Sequence, residues 1–353
     1  MMTVSSWQAM TVQRSQSGFI SRVFVLAVAA ATSCLPVAAG AETSVVRISY
    51  GFGILYLPLM VMDRERLLEK HAKAAGLPEL KVDWKTFDGG NVINDAMLSG
   101  ALDIAGIGVP GFLTLWAKAK DNPQIEVRGL TGMSSSSMYL MTRNPAVKSL
   151  KDFTDKDRIA VPGIKTSLPA VLLHMAAAKE FGEANYAKLD PITVGLPHPD
   201  AVGVMLSGKG EIDSHMASPP FSYIEAESPS LHRVFNSVDL LGNITLDMTF
   251  STRRFVDANP KLTAAFVAAM QEACAMIGND KLKAAQIYND VRKSKQPVEE
   301  TLKILEDPNS RFSAVPDGTM RYAEFMARIG TIKARPASWK ELFFAPIQSA
   351  AGS

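Results

Sequence analysis

Two cysteines in 353 residues leave little room for sulfur chemistry. Cys34 lies in an amino-terminal segment expected to be removed, so Cys274 is left without a partner and no intrachain disulfide can form. A buried, inert thiol is the simple reading of Cys274. Histidine is equally sparse, with five residues, and none sits with cysteine at metal-binding spacing. The chain lacks G-x-S-x-G, H-E-x-x-H and a P-loop, so hydrolase, metalloprotease and nucleotide-hydrolysing chemistry have no groups to stand on. No enzymatic activity, cofactor or metal is expected. Excess charge is missing too: 37 Lys and Arg face 35 Asp and Glu. That balance argues against nucleic acid as a partner. Past the amino-terminal segment no run of about 18 apolar residues could form a membrane span.

The first residues read as a signal for export. Arg14 and Arg22 precede an apolar run, Phe24 to Ala31, too short to cross a bilayer. Ala39-Gly40-Ala41 supplies the small residues a signal peptidase accepts, which puts a signal peptide at 1–41 and the mature start near Glu42. Cys34 behind Ala31-Thr32-Ser33 is a degenerate lipidation box without its usual aliphatic residue. A free periplasmic protein is therefore expected in preference to a lipid-anchored one.

Strand-like and helix-like patterns alternate from there. Val45 to Tyr50 alternates like a strand, ends at Gly51 and Gly53, and leads into a helical stretch from Pro58 to Ala75. Lys81 to Phe87 is a second strand, broken by Asp88-Gly89-Gly90, and Asn91 can cap the helix that follows. Asp103 to Gly106 begins a third. This alternation is the mark of an α/β fold with largely parallel sheets.

A weak repeat divides the chain. Ala96-Met97-Leu98-Ser99-Gly100 before Leu102-Asp103-Ile104 recurs as Val204-Met205-Leu206-Ser207-Gly208 before Glu211-Ile212-Asp213. Each copy reads helix, glycine stop, strand, so two lobes built alike are expected. Strand-like segments at Ser134 to Thr142 and Leu246 to Ser251 are candidate crossings, and two crossings imply a hinge. The organisation that follows is a first lobe from 42–137, a second from 138–247 and a mostly helical return, 248–353, packed on the first.

Candidate ligand-binding residues cluster in loops at strand ends, where open α/β sheets bind ligands. His198 and His215 lie just before a helix and just after a strand. Gly163-Ile164-Lys165-Thr166-Ser167 sits between a strand and a helix begun by Leu168-Pro169, where amides and the hydroxyls of Thr166 and Ser167 could hold an anion and Lys165 could add charge. In the facing lobe, Gly90, Asn91, Val109 and Pro110 form small turns that let backbone approach a ligand, although turn chemistry alone also accounts for the glycines. Ser135 belongs to the serine run Ser134 to Ser137 at the first crossing. Leu55, within Gly51 to Pro58, either lines a cleft or packs, and both imply apolar walls.

The order of these motifs resembles the nitrate, sulfonate and taurine branch of the ABC transporter solute-binding proteins. The residues that carry the likeness are Asp88-Gly89-Gly90-Asn91, Leu98 to Ile104, Ser149-Leu150-Lys151-Asp152-Phe153 leading to Ile159-Ala160-Val161-Pro162, Leu196-Pro197-His198-Pro199, and 332–342. The resemblance implies a type II periplasmic-binding fold, with two α/β lobes joined by a two-segment hinge. It implies capture of a small solute between the lobes by a monomer that docks on an inner-membrane permease. It also implies contacts from Gly90-Asn91, Val109-Pro110, Lys165 to Ser167, His198 and Ser218. Family members that carry small sulfonates often show an aromatic residue near Ser218. Its absence here points to a roomier pocket and to an organic anion with an apolar body, a sulfonate or carboxylate larger than nitrate or taurine. Relatives of the same fold that handle a thiamine pyrimidine precursor, and receptors that present a ligand to a membrane kinase, are the alternatives.

Overall fold

The computed structural model describes residues 41–353 apart from Asp88. The expected signal peptide, the Cys34 lipidation box and Asp88 itself lie outside the described residues. The chain opens with β1 (Val45–Tyr50), whose Val46, Ile48 and Tyr50 are buried. Pro58 at the second position starts α1 (Leu57–Arg64) where its missing N–H costs nothing, and α2 (Leu67–Ala74) follows. Then come β2 (Lys81–Thr86), α3 (Gly90–Leu98), β3 (Ile104–Gly108), α4 (Val109–Ala119) and β4 (Val127–Ser135).

A second run holds β5 (Tyr139–Thr142), β6 (Ile159–Val161), α5 (Leu168–Phe181), β7 (Thr193–Gly195), α6 (His198–Ser207), β8 (Ser214–Ala217), α7 (Phe221–Ala226), β9 (His232–Asn236) and α8 (Ser237–Leu241). The chain returns through β10 (Asp247–Thr252) into α9 (Arg253–Ala258), α10 (Pro260–Asn279), α11 (Lys281–Arg292), α12 (Val298–Glu306), β11 (Arg311–Phe312), α13 (Thr319–Arg328) and α14 (Trp339–Leu342). Among the described residues no helix is long and apolar enough to cross a membrane.

These strands make two sheets, ordered β11-β4-β10-β3-β1-β2 and β7-β6-β8-β5-β9. β1 is parallel to β2 and β3 as β6 is parallel to β7 and β8. In each sheet an antiparallel strand follows, β10 against β3 and β5 against β8, then an antiparallel partner, β4 or β9, and the first sheet adds the short β11 on β4. The two lobes therefore share one topology, a mixed α/β architecture. The antiparallel strand of each sheet directly follows, in sequence, the last strand of the other. Residues 136–138 and 242–246 carry the chain between sheets. The serine run ends β4 and begins the first of these passages, where Ser136 Oγ meets Ser310 Oγ at 2.9 Å.

The sequence repeat has a structural counterpart. α3 stops at Gly100 (φ 74°) and α6 at Gly208 (φ 66°), and each chain then enters the strand beside its sheet's first strand. A left-handed residue there ends a helix at little cost only if it is glycine.

The helical return covers the first sheet: α10 packs on α1 and α2, and α13 on α4. Cys274 on α10 is buried, and that burial pushes its thiol up to about 12. At the middle of the sheet, Phe250 of β10 is fully buried with its ring 5.6 Å from that of Phe112 on α4. Removing that ring leaves a cavity the flanking strands cannot fill. Phe250→Ala is expected to lower unfolding free energy by about 3–5 kcal/mol in urea denaturation.

Candidate functional site

The sheets face one another through their carboxyl edges, and a cavity of about 60 Å³ lies between them. Every parallel strand delivers a cavity residue within a few positions of its end. Phe52 and Gly53 follow β1, Gly89 and Gly90 follow β2, and Gly108 ends β3. From the other lobe, Pro162 follows β6, His198 follows β7 and Ser218 follows β8. This is the edge at which strand order reverses in doubly wound sheets, where neighbouring crossovers diverge and leave a crevice.

Glycine permits the lobes to meet, for reasons that differ by position. Gly89 has φ 89°, which a side chain would strain. Gly53 (φ −80°) and Gly108 (φ −61°) have backbone angles any residue accepts, so space decides there. A Cβ on Gly108 would lie 2.8 Å from Leu168 Cβ of the opposite lobe, and one on Gly53 would lie 2.8 Å from Pro219 O. Between the same two loops, Ile54 N–H donates to Pro219 O at 3.1 Å. The loop after β1 is held from behind by α11: Tyr288 Oη donates to Phe52 O at 3.3 Å and the Arg292 guanidinium lies 4.7 Å from the Phe52 ring.

Four helices begin at cavity residues: α3 at Gly90, α4 just after Gly108, α5 just after Ser167, and α6 at His198. Ser167 caps α5 by accepting from Ala170 N–H at 3.4 Å. Each helix start is worth roughly half a positive charge, so four supply roughly two. Among the described residues, neither lysine nor arginine lines the cavity. Its carboxylate is Asp247, buried at the first position of β10. The rest of the wall is largely apolar, including Leu55, Ile93, Ile107, Met138 and Leu168.

Behind His198 runs a buried polar chain. His198 Nδ1 is 2.7 Å from His215 Nε2, and His215 Nδ1 is 2.6 Å from Glu225 Oε1. His215 and Glu225 are 0% exposed, and Phe221 stacks on the His198 ring at 5.5 Å. Burial drives His198 well below its usual value, with His215 adding to the effect. Burial alone takes His215 down to about 3 and Glu225 up to about 9. A charged group in this interior lacks the water that would stabilise it, so the neutral forms prevail.

Of the residues singled out in the sequence, Leu55, Gly90, Ser167, His198 and Ser218 line the cavity together. His215 lies one layer behind His198. Val109 and Pro110 are buried at the start of α4, and the Val109 amide is spent on Leu246 O at 2.9 Å. Asn91 is exposed on α3. Ser135 pairs with Arg311 in the first sheet. Thr166 turns its hydroxyl to Ile164 O at 3.5 Å. Lys165 adopts φ 66° and points its ammonium toward Asp190, 3.8 Å away, so it brings no charge to the cavity. Sequence reasoning passed over Asp247 and Met138, the first opening β10 and the second just before β5, the two strands that change sheets. A lone aspartate opening the apolar run Asp247 to Phe250 was the available signal for the first.

Residues 39–289 match the model of the NMT1-like family. None of the curated proteins compared matches the chain. Among solved structures, the chain is similar to the alkanesulfonate-binding protein SsuA from Xanthomonas axonopodis pv. citri bound to MOPS, at 18% identity and TM-score 0.68 over 86% of this chain and 100% of that one. It is similar to the periplasmic aliphatic sulphonate binding protein SsuA from Escherichia coli, at 17% identity and TM-score 0.64 over 87% of this chain and 94% of that one. It also resembles the periplasmic nitrate-binding protein NrtA from Synechocystis PCC 6803, at 15% identity and TM-score 0.64 over 85% of this chain and 84% of that one. These likenesses establish the two-lobed periplasmic-binding-protein fold.

The close approach at Gly108 carries its own test. A single methyl group there forces Leu168 away, an overpacking cost of about 1–3 kcal/mol. Gly108→Ala is expected to increase the radius of gyration in small-angle scattering while far-ultraviolet circular dichroism stays that of the wild type.

Proposed function

The chain belongs to the NMT1-like family, and we propose that it is the extracytoplasmic solute-binding component of an ABC importer, which captures a small organic anion between its lobes without altering it. The observation that carries this reading is the convergence of four helix starts on one apolar-walled cavity between two lobes of the same topology. Among the described residues, roughly two units of helix-start charge outweigh the carboxylate of Asp247, and no lysine or arginine is fixed there to hold the solute too firmly to release. The two passages between sheets serve as a hinge, and closure over the solute creates the surface a permease recognises. Periplasmic location and a monomeric state complete the proposal.

The solute is a sulfonate or carboxylate with an apolar body, its acid group at the helix starts and its body against Leu55, Ile107 and Met138. Size bears on this. A water needs about 10–15 Å³, so about 60 Å³ admits roughly five water-sized groups. A short alkanesulfonate fits the lobes as they stand, and a longer body requires them to sit further apart.

A thermal-shift screen of ethanesulfonate, taurine, MOPS, nitrate and benzoate is the direct test. A solute at a hundred times its dissociation constant adds about 2.7 kcal/mol of stability. If no organic anion raises the melting temperature, anion capture is wrong, and a rise with nitrate alone would contradict the organic body.

The α5 start separates two neighbouring hydroxyls. Ser167→Ala removes both the cap and a cavity hydroxyl, and is expected to cost about 1 kcal/mol of stability and to weaken binding of the solute found in the screen. Thr166→Ala, whose hydroxyl turns to Ile164 O, is expected to bind that solute as the wild type does in calorimetry.

A further inference from the structure

His198 has one ring nitrogen tied to His215, which leaves Nε2 for the cavity that the residue lines. What Nε2 offers there follows from proton counting along Glu225, His215 and His198. Suppose the chain holds a carboxylate and two neutral imidazoles. Then His215 Nδ1–H donates to Glu225, His215 Nε2 is bare, His198 Nδ1–H donates to it, and His198 Nε2 is bare as well. Add one proton, on either Glu225 or His215. His215 Nε2–H then donates to His198 Nδ1, and His198 must carry its hydrogen on Nε2. The result is the same whichever of the two groups holds the added proton.

Geometry selects the protonated chain. Without the added proton, a carboxylate would be fully buried, bonded only to a neutral imidazole, and its Oε2 has no hydrogen-bond partner. Such a charge is costly. The surroundings offer no compensation. α7, which carries Glu225, packs on α6, β5, β8 and β9. Asp200 on α6 is exposed, and His232 on β9 bonds to Val147 O. Arg233 on β9 lies over the Tyr139 ring of β5, and Tyr223 of α7 donates to Asp307. Across the cavity, the titratable groups near His198 among the described residues are Tyr56 and Asp247. His198 also opens α6, where the helix dipole opposes an imidazolium.

We propose that Glu225 and His215 act as positioning residues that share one buried proton, fixing His198 as an uncharged N–H donor at the cavity and so selecting a solute with an acceptor oxygen there. Loss of that proton reverses the His215–His198 hydrogen bond and turns the same nitrogen into an acceptor, which repels an anionic oxygen. The proposal names a specificity element of the solute site and rests on the reading of the chain as a solute-binding protein. The direction of Glu225, raised to about 9, agrees with a proton held at neutral pH and lost on alkalinisation.

The test reads nitrogen protonation directly, on the ¹⁵N-labelled full chain without solute, by two-bond correlation from the ring C–H groups. Near neutral pH, His198 is expected with hydrogen on Nε2 and a bare Nδ1, and His215 with hydrogen on Nε2. Both are expected to exchange to the opposite form as pH rises through about 9. In Glu225→Gln no such exchange with pH is expected. A wild-type His198 with hydrogen on Nδ1 near neutral pH overturns the proposal, as does an exchange that persists in Glu225→Gln. If that variant does not fold, the wild-type titration decides alone. Ethanesulfonate, anionic throughout, then serves as probe: its affinity is expected to fall about tenfold across the same pH interval. Failure of ethanesulfonate to bind at neutral pH counts against the proposed function, while the tautomers of the solute-free chain still decide the proton's place.

Discussion

The exchange of one strand between sheets is the constraint from which the rest of this structure follows. β5 comes after β4 in sequence yet completes the second sheet, and β10 comes after β9 yet completes the first. Neither sheet can be finished without the other half of the chain. The exchange ties the lobes by two short backbone passages, and it puts residues at or just before the start of two buried strands at the meeting edge. Asp247 and Met138 reach the cavity for that reason. Two passages side by side also limit how the lobes can move, since they allow bending about one axis and resist twisting about others. That restriction is what a closing receptor requires under the proposed function.

Charge in the cavity is built from dipoles and held neutral by burial. A lysine at this depth would cost several kcal/mol to desolvate and would grip an anion tightly once paired. Helix starts cost the fold nothing further, because their first N–H groups lack partners within the helix wherever it sits. Lys165 illustrates the division. It is two residues from the cavity residue Ser167, yet it spends its charge on Asp190, outside the lining. His198 fits the same pattern, a ring kept uncharged by burial, with His215 adding to the effect.

The fold was legible because its signals are local. Alternating apolar residues gave β1, proline gave the start of α1, and the two Ser-Gly stops gave the parallel halves. The site was legible only in part. Strand-end loops direct attention to the right edge of each sheet, and Leu55, Gly90, Ser167, His198 and Ser218 do meet there. Which way a loop residue points, however, depends on its backbone angle. Lys165 turned outward because it is left-handed, and no pattern of neighbours announces that at a non-glycine position. Val109 was lost to the site for another reason: β3 runs straight into α4 with no loop between, so its amide is already committed to Leu246.

The least legible feature is the polar chain from His198 to Glu225, and its obscurity is physical. Glu225 stands in Phe221-Ser222-Tyr223-Ile224-Glu225-Ala226, where a glutamate reads as the solvated face of a short helix. It is buried because α7 lies across β8 and β9, and only that packing brings it to His215 ten residues earlier. Burial then changes what the residue is, from a charge into a proton holder. A hydrogen-bonded chain that ends in such a group has a fixed direction, and direction is the property a neutral histidine otherwise lacks. The same packing that hides the glutamate from sequence patterns therefore gives His198 a defined chemistry at the cavity wall.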